Sequence, residues 1–503
     1  MAFDPGAVLA WSIIGLFFLG MVFSATHDRK AASFKKAWKN FDPWNAHGNA
    51  RFATDDDLRA ARLFKGEGVA IGYSPDGKRA LHYSGFGHIL TVAAARMGKG
   101  ATLIINALLT WRGSCLCIDP KAENAAITCF FRKRFGKVFI LNPFGMLPEA
   151  LKGMPLARFN PMDLIDATSS AFHAACDKLA AAIVWDEGPN GMHFTTAARI
   201  LVSGVIAALI RHGRECEKTL VVVAQVISGD IAAFCLLTVQ STTDPFIVQK
   251  LSRFAYGDPQ SRELQDVIST AITQLGFLAN AAMADSLSGS DFRFSDLKRM
   301  VATIYICLPL NKLDICAKYF RLLLEVALWD LLDEGQRGVG HRVLCIIDEM
   351  AQLGPHMKSL ENAMGMAAGA AGLQLWCVLQ DLSQLKGMFP QTWETFIQNC
   401  GVTTWFGARD QTTREYVSQL SGTSGALSIS RNVSADPATG FAQASDGASQ
   451  FGRPLLLPHE VGQIAPDQMV AFVEGVRCGP VVARRKFYFR VLSGFRKNPY
   501  IGK

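Results

Sequence analysis

Residues 88–119 read HILTVAAARMGKGATLIINALLTWRGSCLCID. The stretch 88–95 is an apolar run of strand length, and residues 101–111, ATLIINALLTW, have helical composition. Residues 114–119, SCLCID, make a second strand. Residues 138–141 make a third, ahead of the turn residues Asn142-Pro143-Phe144-Gly145. Strand, loop, helix, strand is the βαβ arrangement of a parallel sheet, so the sequence predicts an α/β fold. Lys99 lies at the first strand-to-helix junction.

That junction is where a phosphate is bound in many α/β proteins. Successive backbone N–H groups wrap the anion at a helix N-terminus, and a lysine neutralises its outer charge. The usual pattern is GxxxxGK[ST]. Residues 93–100 read AAARMGKG, with Ala93 at the first glycine and Gly100 at the hydroxyl position. The window Ala94, Ala95, Arg96, Met97, Gly98, Lys99, Gly100 and Ala101 is therefore a candidate nucleotide cradle. An ordinary turn with a surface lysine explains it equally well.

Residues 342–354, RVLCIIDEMAQLG, weigh on that choice. Five apolar residues form a buried strand that ends in Asp348-Glu349. Carboxylates at the carboxyl end of a central strand stand where an open α/β sheet places its chemistry. Asp348 is the candidate Mg²⁺ ligand, and Glu349 is the candidate base that orients and deprotonates water. A strand ending in solvated acids is the bland alternative for this segment taken alone. In this order, the two windows point to an ATPase using ATP and Mg²⁺. Gln380 follows the apolar strand 373–379, LQLWCVL, and is the candidate sensor of the terminal phosphate.

Outward from this centre, the organisation is legible. The chain has 503 residues, 50% hydrophobic and 19% charged, which excludes disordered and collagen-like classes and suggests about two to four domains. Residues 7–25, AVLAWSIIGLFFLGMVFSA, carry no charge and are long enough to span a bilayer as a helix. The start lacks the basic residues of a signal peptide. Five basic side chains between Arg29 and Lys39 predict that this flank stays inside, with the N-terminus outside. Residues 166–290 turn Ala- and Leu-rich and read as a helical insertion, after which strand-like runs resume at 302–308. Residues 421–452 are rich in Ser, Gly and Ala and read as a surface loop. The net charge is +8, and seven of the basic side chains lie in residues 481–503. There Phe487, Tyr488 and Phe489 interleave with cations. That segment reads as an edge strand or, less favoured, as a grip for a DNA backbone. Cys115, Cys117, Cys307, Cys345 and Cys377 lie within apolar runs and read as reduced core residues.

The ordered motifs resemble the coupling proteins of type IV secretion, the TraG/TraD-type conjugal transfer ATPases. The resemblance rests on HGNARFATDDDLRAA (47–61), residues 88–124 ending in DPKAEN, FNPMDLID (159–166), IIDEMAQLG, LQDLSQL, NCGVTTWFGARD (399–410) and RPLLLPHEV (453–461). It implies a RecA-like P-loop nucleotide-binding domain with an inserted all-α domain and one N-terminal transmembrane helix. The expected division is 1–26 anchor, 27–60 basic linker, 61–165 first part of the nucleotide-binding domain, 166–290 all-α domain, and 291–503 second part. The family implies a homo-hexamer at the bacterial inner membrane, with its ATPase domain cytoplasmic. Such a motor recruits relaxase-bound single-stranded DNA, or effector proteins, and passes them to a secretion channel. Glycine after the lysine is common in that family, so Gly100 suits it. The departures are a single membrane helix rather than two, Ala93 and Ala122 in place of glycines, and no arginine in residues 366–372. Arg409 and Arg414 remain as candidates for a trans-acting arginine. An FtsK/HerA-like DNA motor outside secretion is the nearest rival. A nucleotide-weak recruitment adaptor is the rival of a different class, favoured by the irregular loop and opposed by Asp348-Glu349.

Overall fold

The computed structural model describes residues 47–185, 192–309, 312–333, 341–355, 357–366, 372–435 and 442–500. The expected membrane anchor at residues 7–25 lies outside them. The strands are β1 (Val69–Tyr73), β2 (Ala80–Tyr83), β3 (His88–Ala93), β4 (Ser114–Asp119), β5 (Lys137–Leu141), β6 (Ala302–Cys307), β7 (Val343–Ile347), β8 (Leu373–Leu379), β9 (Cys400–Phe406), β10 (Thr423–Ala435), β11 (Ala442–Pro454), β12 (Gln468–Val473) and β13 (Val481–Arg484). Eleven of them form one sheet in the order β2-β1-β13-β12-β9-β3-β8-β7-β4-β6-β5. From β9 to β5 every pairing is parallel, and from β9 to β2 every pairing is antiparallel.

The parallel strands are apolar runs because helices cover them and no face is left to water. β3, β4, β6, β7 and β8 are buried along their whole length. Cys115 and Cys117 join Leu103, Ala107, Ala125 and Cys129 in the main apolar cluster, which seats helices Gly100–Thr110 and Glu123–Arg132 against the sheet. Cys307, Cys345 and Cys377 are buried in β6, β7 and β8, as expected of small hydrophobes. The fully buried Arg132 donates to Thr303 Oγ1 and to the carbonyls of Leu108, Trp111 and Gly113. Its five N–H donors can serve these four acceptors, and they tie the end of the first helix to the start of β4.

Between β5 and β6 the chain is helical. Phe172–Ile183, Met192–His212, Leu220–Ser228, Ile231–Ser241, Pro245–Tyr256 and Arg262–Leu275 are its main helices. Their boundaries are set by local chemistry. The side chains of Thr219, Asp230 and Asp244 each accept a backbone N–H from the following turn. Met192–His212 is apolar enough to cross a membrane by composition, but its apolar window is 72% buried among its neighbours, as in a core helix.

Two expectations need correction. Residues 421–452 are not a loop. β10 and β11 form an antiparallel ladder from Thr423↔Pro454 to Ala435↔Ala442. The chain divides into two compact units, and this hairpin belongs to the smaller one. The tail at 481–503 is not an edge strand either. Among its described residues only Val481–Arg484 is strand, and it pairs on both sides, with β1 and β12.

Candidate functional site

The order of the sheet assembles the site. β8 lies between β3, which feeds the Lys99 loop, and β7, which ends at Asp348-Glu349. Parallel pairing brings the carboxyl ends of all three to one edge. Lys99 Nζ donates to Glu349 Oε1 at 2.8 Å and stands 3.5 Å from Asp348 Oδ1. Gln380 Nε2 donates to Glu349 Oε2 at 3.0 Å. The backbone N–H of Gln380 donates to Gln384 Oε1 at 2.9 Å, which fixes its start. Three residues chosen from separate sequence windows therefore form one hydrogen-bonded chain.

Glu349 is held in the left-handed region at φ 55°. For a residue with a β-carbon that costs about 1–2 kcal/mol. It turns the carboxylate towards Lys99, and the Glu349 N–H donates to Asp348 Oδ1 at 3.0 Å. Burial alone would raise the Glu349 pKa, but the Lys99 ammonium and the Gln380 hydrogen bond outweigh it and hold the carboxyl below its usual range. For Asp348 burial wins over Lys99, and the carboxyl is raised.

The loop itself explains the departures from the general pattern. Ala93 is the fully buried last residue of β3 with ordinary strand backbone, so no glycine is required there. The turn is made by Arg96 at φ 64° and Gly98 at φ 80°. A β-carbon at Gly100 would meet nothing within 4 Å, so the mouth of the loop is open. The following helix begins with a π-turn, Gly100–Ile104, before Ile105–Thr110; such turns recur at functional sites. Thr102 Oγ1 is engaged with the Gly98 carbonyl at 2.8 Å. Ala122 sits at φ 55°, which gives the physical reason for glycine at that position in the related motif.

These residues fit a nucleotide phosphate and its metal. The lysine is already paired with anionic oxygens, the loop is open, and the strand-end carboxylates adjoin it. Mg²⁺ takes one or two carboxylates and completes its shell with phosphates and water. Asp348 would hold it.

The sequence reading missed two residues here. Asp119 ends β4 and is buried, accepting the Ala125 N–H at 2.8 Å. Burial pushes its pKa up to about 7 against that hydrogen bond, and the nearby Asp348 charge adds to the rise. Its signal was present: SCLCID, like VLCIIDE, is an apolar run ending in a carboxylate. The second is Arg485, buried at 6% exposure. It donates to the Met97 carbonyl of the loop at 2.6 Å, to Gln468 O at 3.1 Å and to Pro466 O. Its guanidinium lies 4.1 Å from the Phe406 ring centroid. No local pattern distinguishes it from its basic neighbours. Arg414 donates to Ala408 O at 3.1 Å within the same chain, and Arg409 is exposed.

The model of the type IV secretory system conjugative DNA transfer family matches residues 51–498. The chain belongs to that family. Two relatives in it are VirD4 of Agrobacterium fabrum, 26% identical over 448 residues, and TraG of Escherichia coli, 26% identical over 456. The alignments cover 85% and 82% of this chain, and 64% and 70% of the relatives' own length. Among solved structures, the bacterial conjugative coupling protein TrwB in its unbound form aligns with a TM-score of 0.64 at 15% identity, covering 87% of this chain and 92% of TrwB. TrwB in complex with ADP and Mg²⁺ aligns with a TM-score of 0.62 over 87% of this chain and 94% of that one. This member of the conjugative DNA transfer family thus shares TrwB's P-loop α/β fold.

Proposed function

We propose that this chain is the ATP-hydrolysing coupling motor of a type IV secretion system, driving relaxase-bound single-stranded DNA or effector protein into the channel. The observation that carries the reading is the Lys99–Glu349–Gln380 chain at the ends of three adjacent strands. In it, Lys99 and the backbone of residues 94–101 bind the phosphates of ATP, and Asp348 holds Mg²⁺. The metal, when bound, neutralises charge on the phosphates. In the free site Lys99 occupies Glu349. Transfer of the lysine to the phosphates releases the carboxylate to orient water and accept its proton. Gln380, bonded to the same carboxylate, carries the change to the next strand. Family membership favours this over a DNA motor outside secretion.

In the same proposal residues 1–26 anchor the chain in the inner membrane with the N-terminus outside, and 27–60 link it to the cytoplasmic motor. Residues 61–165 and 291–503 make the motor, and 166–290 the helical domain that meets cargo. Six copies close into a ring by head-to-tail contacts. The test is steady-state ATP hydrolysis by the full-length chain, with and without single-stranded DNA. Turnover stimulated by DNA, lost by at least about 100-fold in Lys99→Ala, and stalled with ATP bound in Glu349→Gln, is the expected result. Wild-type turnover in Glu349→Gln would remove Glu349 as the base.

A further inference from the structure

The C-terminal segment does more than close the sheet. After Arg484 the chain runs beside the Lys99 loop. Arg485 is tied to the Met97 carbonyl, and the Lys486 carbonyl accepts from Asn106 Nδ2 at 2.9 Å on the helix that follows the loop. Tyr488 is buried against Ile105, Leu109 and Ile127. The backbone on both sides of Phe487 is therefore pinned to the phosphate-loop helix and its neighbours. Phe487 itself is 39% exposed, and a β-carbon at Gly98 would lie 3.7 Å from its ring. Phe489 stacks on it, with ring centroids 5.2 Å apart and planes within 16°. It too is exposed, so the pair is not filling a core.

A fixed, partly exposed aromatic ring next to a phosphate loop, with the Arg490 guanidinium 5.8 Å from its centroid, is placed to meet a ligand there. We propose that Phe487, backed by Phe489, is the platform on which the base of the bound nucleoside triphosphate stacks. This rests on the nucleotide reading above and adds how the base is held. Every base presents a π-face, so stacking tolerates different bases. Phe487 therefore contributes to ATP and GTP binding alike. Arg485 is a positioning residue, since it holds the loop and the start of this segment together.

The test compares ATP with inorganic tripolyphosphate, which has the phosphates and no base, on the full-length chain by calorimetry. Phe487→Ala weakens ATP and GTP about ten-fold and leaves tripolyphosphate unchanged. Phe487→Trp restores ATP affinity, and its fluorescence is quenched by ATP but not by tripolyphosphate. Unchanged ATP affinity in Phe487→Ala overturns the platform while leaving the nucleotide reading intact. So does an equal loss for ATP and tripolyphosphate, which would mean that Phe487 only shapes the loop. A loss confined to an oligodeoxythymidylate would assign the rings to DNA and also overturn it. Wild-type protein that binds neither ATP nor tripolyphosphate overturns the nucleotide reading and the platform with it.

Discussion

The parallel strands and the β10–β11 hairpin are held by different physics. β7 has five residues, all apolar and all buried. β10 and β11 have thirteen residues each, rich in Ser, Gly and Ala, and paired one to one along their length. In the first case burial of side chains on both faces decides the structure. In the second the regular feature is a backbone ladder paired residue by residue. Composition reads the first kind well, because apolar runs are what a doubly covered strand needs. It misreads the second, because small polar residues also make loops. The signal was still there: Leu427, Ile429 and Val433 alternate with Ser428, Ser430 and Asn432.

The contrast can be broken by experiment. Leu344→Ala, in the middle of β7, should lower the unfolding free energy by about 3 kcal/mol in urea titration, from lost transfer energy plus a cavity. A cost under about 1 kcal/mol would mean that the parallel core is loosely packed. Arg485→Met sharpens the comparison with a buried cation. It strands the carbonyls of Met97, Gln468 and Pro466 and should cost about 2 kcal/mol, while also weakening tripolyphosphate binding because the loop is no longer anchored. If stability fell and tripolyphosphate affinity did not, Arg485 would be structural only.

Asp119 provides a pH-dependent probe of the same buried edge. Its folded pKa, about 7, lies above the usual 3.8, so the native state binds the proton more tightly than the unfolded chain does. Its contribution is therefore fully present at low pH and is lost as pH rises towards 7, by at most about 1.4 kcal/mol per pH unit. Glu349 has the opposite sign: its carboxyl is lowered, so its stabilisation is lost as pH falls below the usual carboxylate range. Between pH 5 and 7, Asp119→Asn should flatten the thermal midpoint profile. An unchanged slope would place the titration elsewhere. The smallest effect belongs to the hairpin. Ser428 is exposed and faces Ser449 across the ladder, and Ser428→Ala should change stability by less than about 0.5 kcal/mol. A cost matching Leu344→Ala would erase the distinction between the two regions.

Much of the site was legible in advance because its parts are local. Strand β4 spans residues 114–119 and β7 spans 343–347, where the apolar runs begin and end. Asp348-Glu349 and Gln380 sit where an apolar run stops at a polar residue, and Lys99 lies in the short loop between an apolar strand and an apolar helix. Periodicity and termination are properties of short windows, so the sequence alone determined an α/β sheet, its parallel strands, the loop and the candidate charges. Tertiary structure decided which windows meet. The sheet order put β8 between β3 and β7, closing Lys99, Glu349 and Gln380 into one hydrogen-bonded chain. It also brought Arg485 and Phe487, nearly 400 residues downstream, against the loop at Met97 and Gly98. Those contacts depend on strand order and on a single buried guanidinium finding its carbonyls. Neither leaves a period or a composition bias in the chain, so only the folded molecule reveals them.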